Sequence, residues 1–293
     1  MRCSMCGLTW SRFNRLEEAA AQQVTNLQYG LSTLHCWIRA FECLLRLSYR
    51  LPDGNVSKEQ IEGRKKLVKE AFKARMGLRV DEPLPSGGNS NDGNVARRAF
   101  RSPTEFAACT GLDAQLIHEL HVVLQAVSCF YPLRTAALQE FCGQVAQRYV
   151  DLYNWRPMNT TLHKLLCHSA AVVEHCLLPL GMMSEEAAEA TNKRVRQFRL
   201  RHTRKDTRLH TMSDLFGYLL VASDPQLSSY GLLRRRGLRR TGHGLLPETQ
   251  RLLAEPTLPD DDAAGAEGDT ESCLLYTSPS PRDLSTSRMP SSA

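Results

Sequence analysis

Residues 184–205 carry glutamates at their start and a dense run of lysine and arginine after them. If the segment is a helix, Glu186, Glu189, Lys193 and Arg196 share one face, because residues three or four apart lie next to each other. Carboxylates in such a position could hold a divalent cation, which prefers oxygen ligands, beside a bound polyanion. The same spacing fits an ordinary solvated face with an ion pair such as Glu189–Lys193. Spacing alone leaves both interpretations open.

A second group of candidates consists of cysteine and histidine pairs that lie far apart in the chain. Cys3 and Cys6 form a C-x2-C pair, whereas His163 and His168 form an H-x4-H pair. Both spacings occur in zinc sites. Each pair alone is weak evidence, since C-x2-C also occurs in redox proteins or by chance and the histidines could be ordinary helix residues. Two histidines five apart point about 140° apart on a helix, which predicts one at a helix end or a distortion. Cys167 is a competing ligand candidate.

The composition fits a globular protein with a polyanion-binding region. The chain has 293 residues, 42% of them hydrophobic, and a formal net charge of +6, enough for one large domain or two small ones. From Lys193 to Arg208 there are eight lysines and arginines and one aspartate, and such a stripe favours a polyanionic partner. The ten cysteines lack the dense, even pattern of a secreted scaffold, and no signal peptide precedes them. We therefore expect free thiols in a reducing compartment. No uncharged apolar run reaches 18 residues, so we expect no membrane partner.

Most of the chain shows helical rather than alternating hydrophobic periodicity, so the predicted fold class is mainly α. Ser57 and Ser184 are predicted N-caps, and 81–94 is a predicted loop because proline, glycine, asparagine and aspartate cluster there. A short helix is expected to start near Asn94. The other predicted helices cover 34–51, 59–76, 112–130, 135–153, 160–177, 185–201 and 213–222.

The C-terminal part differs in character from the rest. Residues 226–272 are first basic, then acidic and rich in glycine, alanine and proline, so we expect a disordered tail. Residues 273–293, beginning CLLYTSPSPRD, read as the translation of a common sequencing-library adapter with its index and outer sequence. We therefore expect 273–293 to be an artefact of an incomplete transcript. This interpretation leaves the true start and end of the protein undetermined.

Several separated motifs follow one another along the chain. They are C-x2-C at Cys3, LHC at 34–36, GNVARR at 93–98, H-x4-H at His163 and SEEAAEATNKRVRQFR at 184–199. In this order they resemble the C-terminal part of Transib-type DNA transposases and of the related large subunit of the V(D)J recombinase. The resemblance covers about residues 3–228 and implies DNA nicking and strand transfer by metal-dependent chemistry.

The resemblance assigns roles to the candidate residues. Glu189 matches the last acid of a DDE catalytic triad, which holds Mg²⁺ or Mn²⁺, and Glu186 matches an acid near that site. The two halves of the zinc pattern join into one structural site with four ligands: Cys3, Cys6, His163 and His168. A zinc ion held by four protein ligands stabilises the fold and has no open position for catalysis.

The resemblance also places polar residues against double-stranded DNA, in the form of transposon ends or signal-like sequences. Basic residues there would grip phosphates, an interaction that is independent of base sequence and weakened by salt. The matching candidates are His35, Asn94, Arg97, Arg98, Lys193, Arg196, Arg199, Arg204 and Lys205. A further basic surface on the predicted helix 59–76 is either a DNA contact or a solvated face; its members are Lys65, Lys66, Lys69, Lys73 and Arg75.

The implied organisation divides the chain into five parts. They are 1–34, a C-x2-C half-site with its linker; 35–159, a helical insertion; 160–225, the H-x4-H and catalytic-helix region; 226–272, the tail; and 273–293, the artefact. The other two catalytic aspartates of the family lie upstream of the C-x2-C pair, on an RNase H-like β core that we expect to be largely missing here.

The function expected from the resemblance is therefore that of a fragment. The parent protein would be a nuclear DDE transposase or recombinase with endonuclease and strand-transfer activity and would form a homodimer; the need for an accessory recombinase subunit is left open. This chain would carry only Glu189 of the triad and be inactive alone. Two alternatives stay open: a domesticated, transposon-derived DNA-binding protein without catalysis, and a helical protein-interaction domain.

Overall fold

The computed structural model describes residues 1–85, 88–227 and 244–254. Within them the protein is mainly helical, which confirms the predicted fold class, and backbone pairing of the strand type is limited to three isolated bridges. The α-helices of these residues are α1 (Leu16–Ala20), α2 (Thr33–Ser48), α3 (Lys58–Met76), α4 (Gly93–Phe100), α5 (Pro103–Thr110), α6 (Ala114–Ser128), α7 (Thr135–Tyr153), α8 (Thr160–His175), α9 (Glu186–Arg201), α10 (Arg208–Ser223) and α11 (Pro247–Arg251). The predicted artefact, 273–293, lies outside the described residues.

Polar caps fix the start of several helices. Ser57 and Gln60 form a reciprocal capping box at α3, with the Gln60 N–H donating to Ser57 Oγ at 3.2 Å and the Ser57 N–H donating to Gln60 Oε1 at 2.7 Å. This arrangement satisfies two of the backbone donors that a helix start leaves open. It confirms Ser57 as the predicted cap.

Two helices start at other residues than predicted, α9 one residue later and α10 five residues earlier. α9 begins at Glu186, with Glu185 rather than the predicted Ser184 at the N-cap position, and Ser184 Oγ accepts a hydrogen bond from Thr33 Oγ1 at 3.1 Å. The last predicted helix, 213–222, instead begins at Arg208. The reason is a polar cap that hydrophobic periodicity overlooks: Thr207 Oγ1 accepts from the His210 N–H at 3.1 Å.

The described residues fall into two compact units. Unit 1 contains residues 1–184 and 245–254, and unit 2 contains residues 185–227 and Gly244. The predicted parts 1–34 and 35–159 therefore belong to one unit, together with the first 25 residues of the third part, 160–184.

Unit 1 is built around a buried aromatic cluster. Phe41, Phe72, Phe100 and Phe106 meet edge to face, with ring centroids 5.3–5.8 Å apart, and each is 0% exposed. These rings come from α2, α3, α4 and α5, so one cluster holds four helices together. α2 also packs on α6 and α8, and α7 packs along α8.

Unit 2 is a helix pair with little interior. Phe198 of α9 stacks on Tyr218 of α10 with centroids 4.1 Å apart, and Leu215 is the buried residue of α10. α9 has no buried residue among those whose side chains are described. Its basic side chains therefore remain available to solvent.

Part of the predicted disordered tail is folded. Residues 245–254 return to unit 1 and form α11, where Thr249 is 0% exposed and Leu252 is 5% exposed. The prediction rested on the average composition of 226–272, which hides the local apolar segment LLPETQRLL. The remainder of the tail, 228–243 and 255–272, lies outside the described residues.

In the part of the chain that the structure describes, no single helix is long and apolar enough to cross a membrane. One bent pair of helical segments, Thr160–His175 with Leu180–Arg201, meets the length and composition criteria only when both are taken together.

Candidate metal centre and basic surfaces

The N-terminal cysteines lie on a tight knuckle. The Cys3 N–H donates to the Leu8 carbonyl and the Gly7 N–H donates to the Cys3 carbonyl, both at 2.9 Å. Gly7 has φ of +74°, a left-handed conformation that glycine adopts without strain. The turn places both thiols in the interior, with Cys3 at 1% and Cys6 at 7% exposure.

Both histidines of the H-x4-H pair project from α8. Asn159 caps this helix by accepting from the Leu162 N–H at 2.7 Å, and His163 lies in the first turn, where one histidine was expected. His163 is 0% and His168 is 1% exposed, and their ring centroids are 5.0 Å apart. The two imidazoles therefore converge in the interior despite their angular separation on the helix.

The structure brings the two half-sites together. One potential ligand atom from each of Cys3, Cys6, His163 and His168 lies within 4.8 Å of the others, and all four residues are buried. Cys6 Sγ lies 3.3 Å from His163 Nε2 across 157 positions of sequence. Two thiols and two imidazoles at these separations are the donor set and scale of a tetrahedral zinc site.

The protonation of the cysteines suits metal ligation. Burial raises the pKa of the Cys3 thiol, but the adjacent rings of His163 and His168 lower it to about 4. Burial and the neighbouring Cys3 raise the pKa of Cys6. One thiolate is thus ready at neutral pH, and a bound cation would favour the second by attracting its negative charge.

His168 provides a test of whether the residues fit a metal. Both of its ring nitrogens are buried and have no hydrogen-bond partner in the protein. A buried polar atom without a partner costs roughly 1–3 kcal/mol. A cation bound to one of these nitrogens would remove that part of the cost, so the observed cluster fits a zinc ion.

Cys167 and Phe13 surround His163 from outside the cluster. Cys167 Sγ lies 3.6 Å from His163 Nδ1, the ring nitrogen opposite to the one that faces Cys6. Phe13 stacks on the same ring at 4.2 Å with an interplanar angle of 10°. Cys167 therefore contacts the candidate ligand His163 and is not itself a fifth ligand of the cluster. Sequence reasoning missed Phe13, for which no local pattern exists.

The glutamate helix presents its acids near the start of α9. Glu186 and Glu189 lie in its first turn, where the helix dipole favours negative charge. Glu189 is exposed, Glu186 is half-buried, and Lys193, Arg196 and Arg199 follow as a predominantly exposed basic stripe. Acid and base therefore line unit 2 in the order that the sequence predicts.

The basic residues of α4 form a patch on unit 1. The Arg97 guanidinium lies 5.5 Å from the centroid of the Trp37 ring. Burial and the positive charges of Arg97 and Arg98 lower the pKa of Arg101, so both of these side chains repel the guanidinium of Arg101. Arg101 was missed by sequence reasoning, although its spacing of three and four from the other two puts it on their side of the helix.

Two other predicted contacts of unit 1 have local roles. His35 is exposed in the first turn of α2, with its Nδ1 2.8 Å from Ser32 Oγ. Asn94 is half-buried in the first turn of α4, directly after the cap Asp92.

Arg204 is engaged by another residue of unit 2. Its guanidinium and backbone N–H donate to Asp214 at 2.8–3.3 Å, and this pairing lowers the pKa of Asp214 to about 2. The charge of Arg204 is thus largely compensated, whereas Lys205 is exposed.

The lysines of α3 lie in a charge-balanced cleft of about 440 Å³. Its charged lining residues are Lys65, Lys66, Lys69, Lys73, Glu62, Glu70, Asp81 and Glu82. Arg75 pairs with Glu105 at 3.2 Å. This equal mixture of charges favours the solvated-face interpretation of α3 over a phosphate-binding one.

No known protein family and no curated protein matches the sequence of this chain.

Proposed function

We propose that this chain is the DNA-holding C-terminal part of a DDE-type transposase or recombinase, with a zinc ion bound by Cys3, Cys6, His163 and His168. The observation that carries the proposal is the convergence of these four buried side chains. Spacing did not predict that the half-sites would meet, whereas the family resemblance did. The convergence of the two half-sites therefore supports the resemblance, because nothing else in the sequence predicts it.

The zinc ion has a structural role in this proposal. Four protein side chains complete its coordination, so no position is left for a substrate or water. The chain's own residues hold the Cys3–Cys6 knuckle against the first half of α8 and thereby close unit 1 across 157 positions. Phe13 and Cys167 orient the ring of His163.

DNA binding in this proposal relies on two arginine- and lysine-rich surfaces. One is the α4 patch of Arg97, Arg98 and Arg101 on unit 1, and the other is the stripe after Glu189 on α9. Both contact phosphates rather than bases, so the binding is weakened by salt. The proposed partner is double-stranded DNA in the nucleus.

Glu189 in this proposal is one of the acids that hold Mg²⁺ or Mn²⁺ in the parent enzyme. These cations need several oxygen ligands, and within the described residues of unit 2 the carboxylates of Glu185 and Glu189 lie within 4.8 Å of each other. That set does not complete a two-metal site. We therefore expect this chain to bind DNA without cutting it.

The proposal is tested by DNA affinity at several salt concentrations. Replacing Arg97 and Arg98 by glutamine should weaken binding and reduce the slope of log affinity against log salt by about two, one for each phosphate that is no longer neutralised. The matched control replaces Lys65 and Lys66, which lie in the charge-balanced cleft, by glutamine. It should change neither the DNA affinity nor the salt slope. Equal effects of the two pairs, or no binding by the intact chain, would contradict the DNA-holding role.

Zinc is tested separately by elemental analysis of the purified chain. We expect one zinc per chain, removed on replacing His163 by alanine. If the purified chain contains no zinc but still binds DNA as expected, the zinc site is excluded and the DNA-holding role is retained.

A helical protein-interaction domain remains the second candidate. The observation that favours it is an apolar stripe on α10, where Leu209, Met212, Phe216 and Leu220 are 49–76% exposed. DNA affinity that is indifferent to Arg97, Arg98 and Arg196 would favour this candidate.

A further inference from the structure

The segment 245–254, which we call the strap, joins unit 1 after the chain has passed through unit 2. It docks on a surface that we call the strap groove, which consists of the residues that contact the strap: His118 and Gln125 of α6 and Pro132–Arg134. Sequence reasoning assigned this segment to a disordered tail. Its contacts are independent of the candidate metal centre and of the basic surfaces.

The first half of the strap is held by one side chain. Gln125 Oε1 accepts from the Leu246 N–H and from Thr249 Oγ1, both at 2.8 Å, and Thr249 is 0% exposed. An amide oxygen that satisfies the start of α11 acts as a cap supplied by another element. Gln125 therefore recognises both the backbone direction and the hydroxyl of the strap.

The second half is held by its backbone. The Arg134 N–H donates to the Leu252 carbonyl and the Ala254 N–H donates to the Pro132 carbonyl, both at 2.9 Å, around an antiparallel bridge between Leu133 and Leu253. Such pairing is how an extended peptide adds to an exposed backbone edge. Leu252 supplies the apolar anchor, at 5% exposure.

The remaining contacts lie at the rim. His118 Nε2 lies 3.4 Å from Glu248 Oε1, with side chains 29% and 41% exposed, and the Arg134 guanidinium donates to the Arg251 carbonyl. Ion pairs this exposed contribute little. A five-residue helix is also far too short to be stable alone.

We propose that the strap groove is a peptide-docking site that the strap occupies reversibly. The segment it fits has a leucine, a threonine three residues later and a second leucine three residues after that, as in Leu246, Thr249 and Leu252. Within 245–254 the buried residues are Thr249 and Leu252, so we expect the strap to open at a lower free energy than the helices of the core. Docking holds Leu246, two residues after the end of unit 2, against Gln125 of α6.

The test uses a fluorescent peptide of residues 244–254 and the full chain. In a chain whose strap carries Thr249→Arg and Leu252→Asp, the groove is vacant, so the peptide should bind at least tenfold more tightly than to the unaltered chain. Adding Gln125→Ala should weaken that binding at least tenfold. A peptide carrying the Thr249→Arg change is the matched control and should not bind.

Peptide binding no tighter to the altered chain than to the unaltered one, or unaffected by Gln125→Ala, would overturn the proposal. Hydrogen exchange on the unaltered chain decides the matter even if the strap variant misfolds. The amides of Arg134 and Ala254 should exchange at least 100-fold faster than those in the middle of α6, and equal protection would make the strap a permanent part of the core. A dimer of the unaltered chain that becomes monomeric in the strap variant would assign the groove to the strap of a second copy and overturn the intrachain assignment.

Discussion

At the scale of single residues, His168 is the side chain whose surroundings demand an explanation. It is 1% exposed, and neither ring nitrogen has a hydrogen-bond partner in the protein. An apolar residue of similar volume would avoid the cost of about 1–3 kcal/mol. The neighbouring thiols and His163 make this imidazole a candidate metal ligand. In the proposed zinc site one of its ring nitrogens would bind the metal, and only the other would lack a partner.

Cys167 provides the first prediction. A ligating histidine is oriented through its other ring nitrogen, and loss of such a partner costs about 10–100-fold in metal affinity. Since Cys167 Sγ faces His163 Nδ1 at 3.6 Å, Cys167→Ala should weaken zinc binding to that extent, and Cys167→Ser should retain much of it. The measurement is competition with a chromophoric chelator. Cys176→Ala, at the far end of α8, is the control and should leave the affinity unchanged.

The Arg204–Asp214 pair provides a pH prediction. Pairing lowers the pKa of Asp214 from 3.8 to about 2, so the ion pair is fully formed above the ordinary pKa and breaks as the pH falls through the lowered one. The Arg204 amide, which donates to Asp214 Oδ2 at 2.8 Å, should therefore shift in NMR spectra between pH 4 and about pH 2. Asp214→Asn should abolish this titration. A midpoint near 3.8 in the unaltered chain would contradict the pairing.

At the scale of helices, the aromatic cluster decides how unit 1 is assembled. Phe106 of α5 touches three other rings, those of Phe41, Phe72 and Phe100. Because all four are fully buried, we expect Phe106→Ala to cost about 3–5 kcal/mol of unfolding free energy. Leu67→Ala on α3, where Leu67 is 67% exposed, should change it by less than about 0.5 kcal/mol.

Denaturant unfolding followed by tryptophan fluorescence measures this difference in unit 1 alone. Trp10, Trp37 and Trp155 all belong to that unit, and the chain has 3 tryptophans in total. Similar losses of stability for Phe106→Ala and Leu67→Ala would mean that the rings do not form a common core.

At the scale of the whole molecule, the candidate metal centre closes a very long loop. A cross-link between positions 157 apart, as for Cys6 and His163, removes roughly 5 kcal/mol of chain entropy from the unfolded state in the loop-closure treatment used for disulfides. A strong zinc chelator should therefore lower the melting temperature of unit 1, measured by tryptophan fluorescence. The His163→Ala chain should melt at a lower temperature and no longer respond to the chelator. An unchanged melting temperature on chelation of the intact chain would contradict a structural zinc.

The sequence by itself determined the longer helices and the places where polar caps have a strong local signature, whereas the short helices α1, α5 and α11 were not predicted. Ser57 with Gln60 is such a signature, and hydrophobic periodicity predicted α2, α3, α6, α7 and α8 within a few residues. The cap Thr207 was overlooked, because a serine or threonine can bond to several neighbours and only packing selects one. The C-x2-C and H-x4-H pairs were visible as half-sites, and only the resemblance suggested that they join.

Tertiary structure decided the interactions between distant parts of the chain. The meeting of Cys6 with His163, the stacking of Phe13 on that ring and the docking of the strap on Gln125 link positions 121 to 157 apart. Local propensity contains no information about such distances, because they depend on how whole helices pack. Packing also decides which acids lie beside the lysines of α3. The physical reason is that a side chain's chemistry is set by its neighbours in space, which the order of residues does not specify locally.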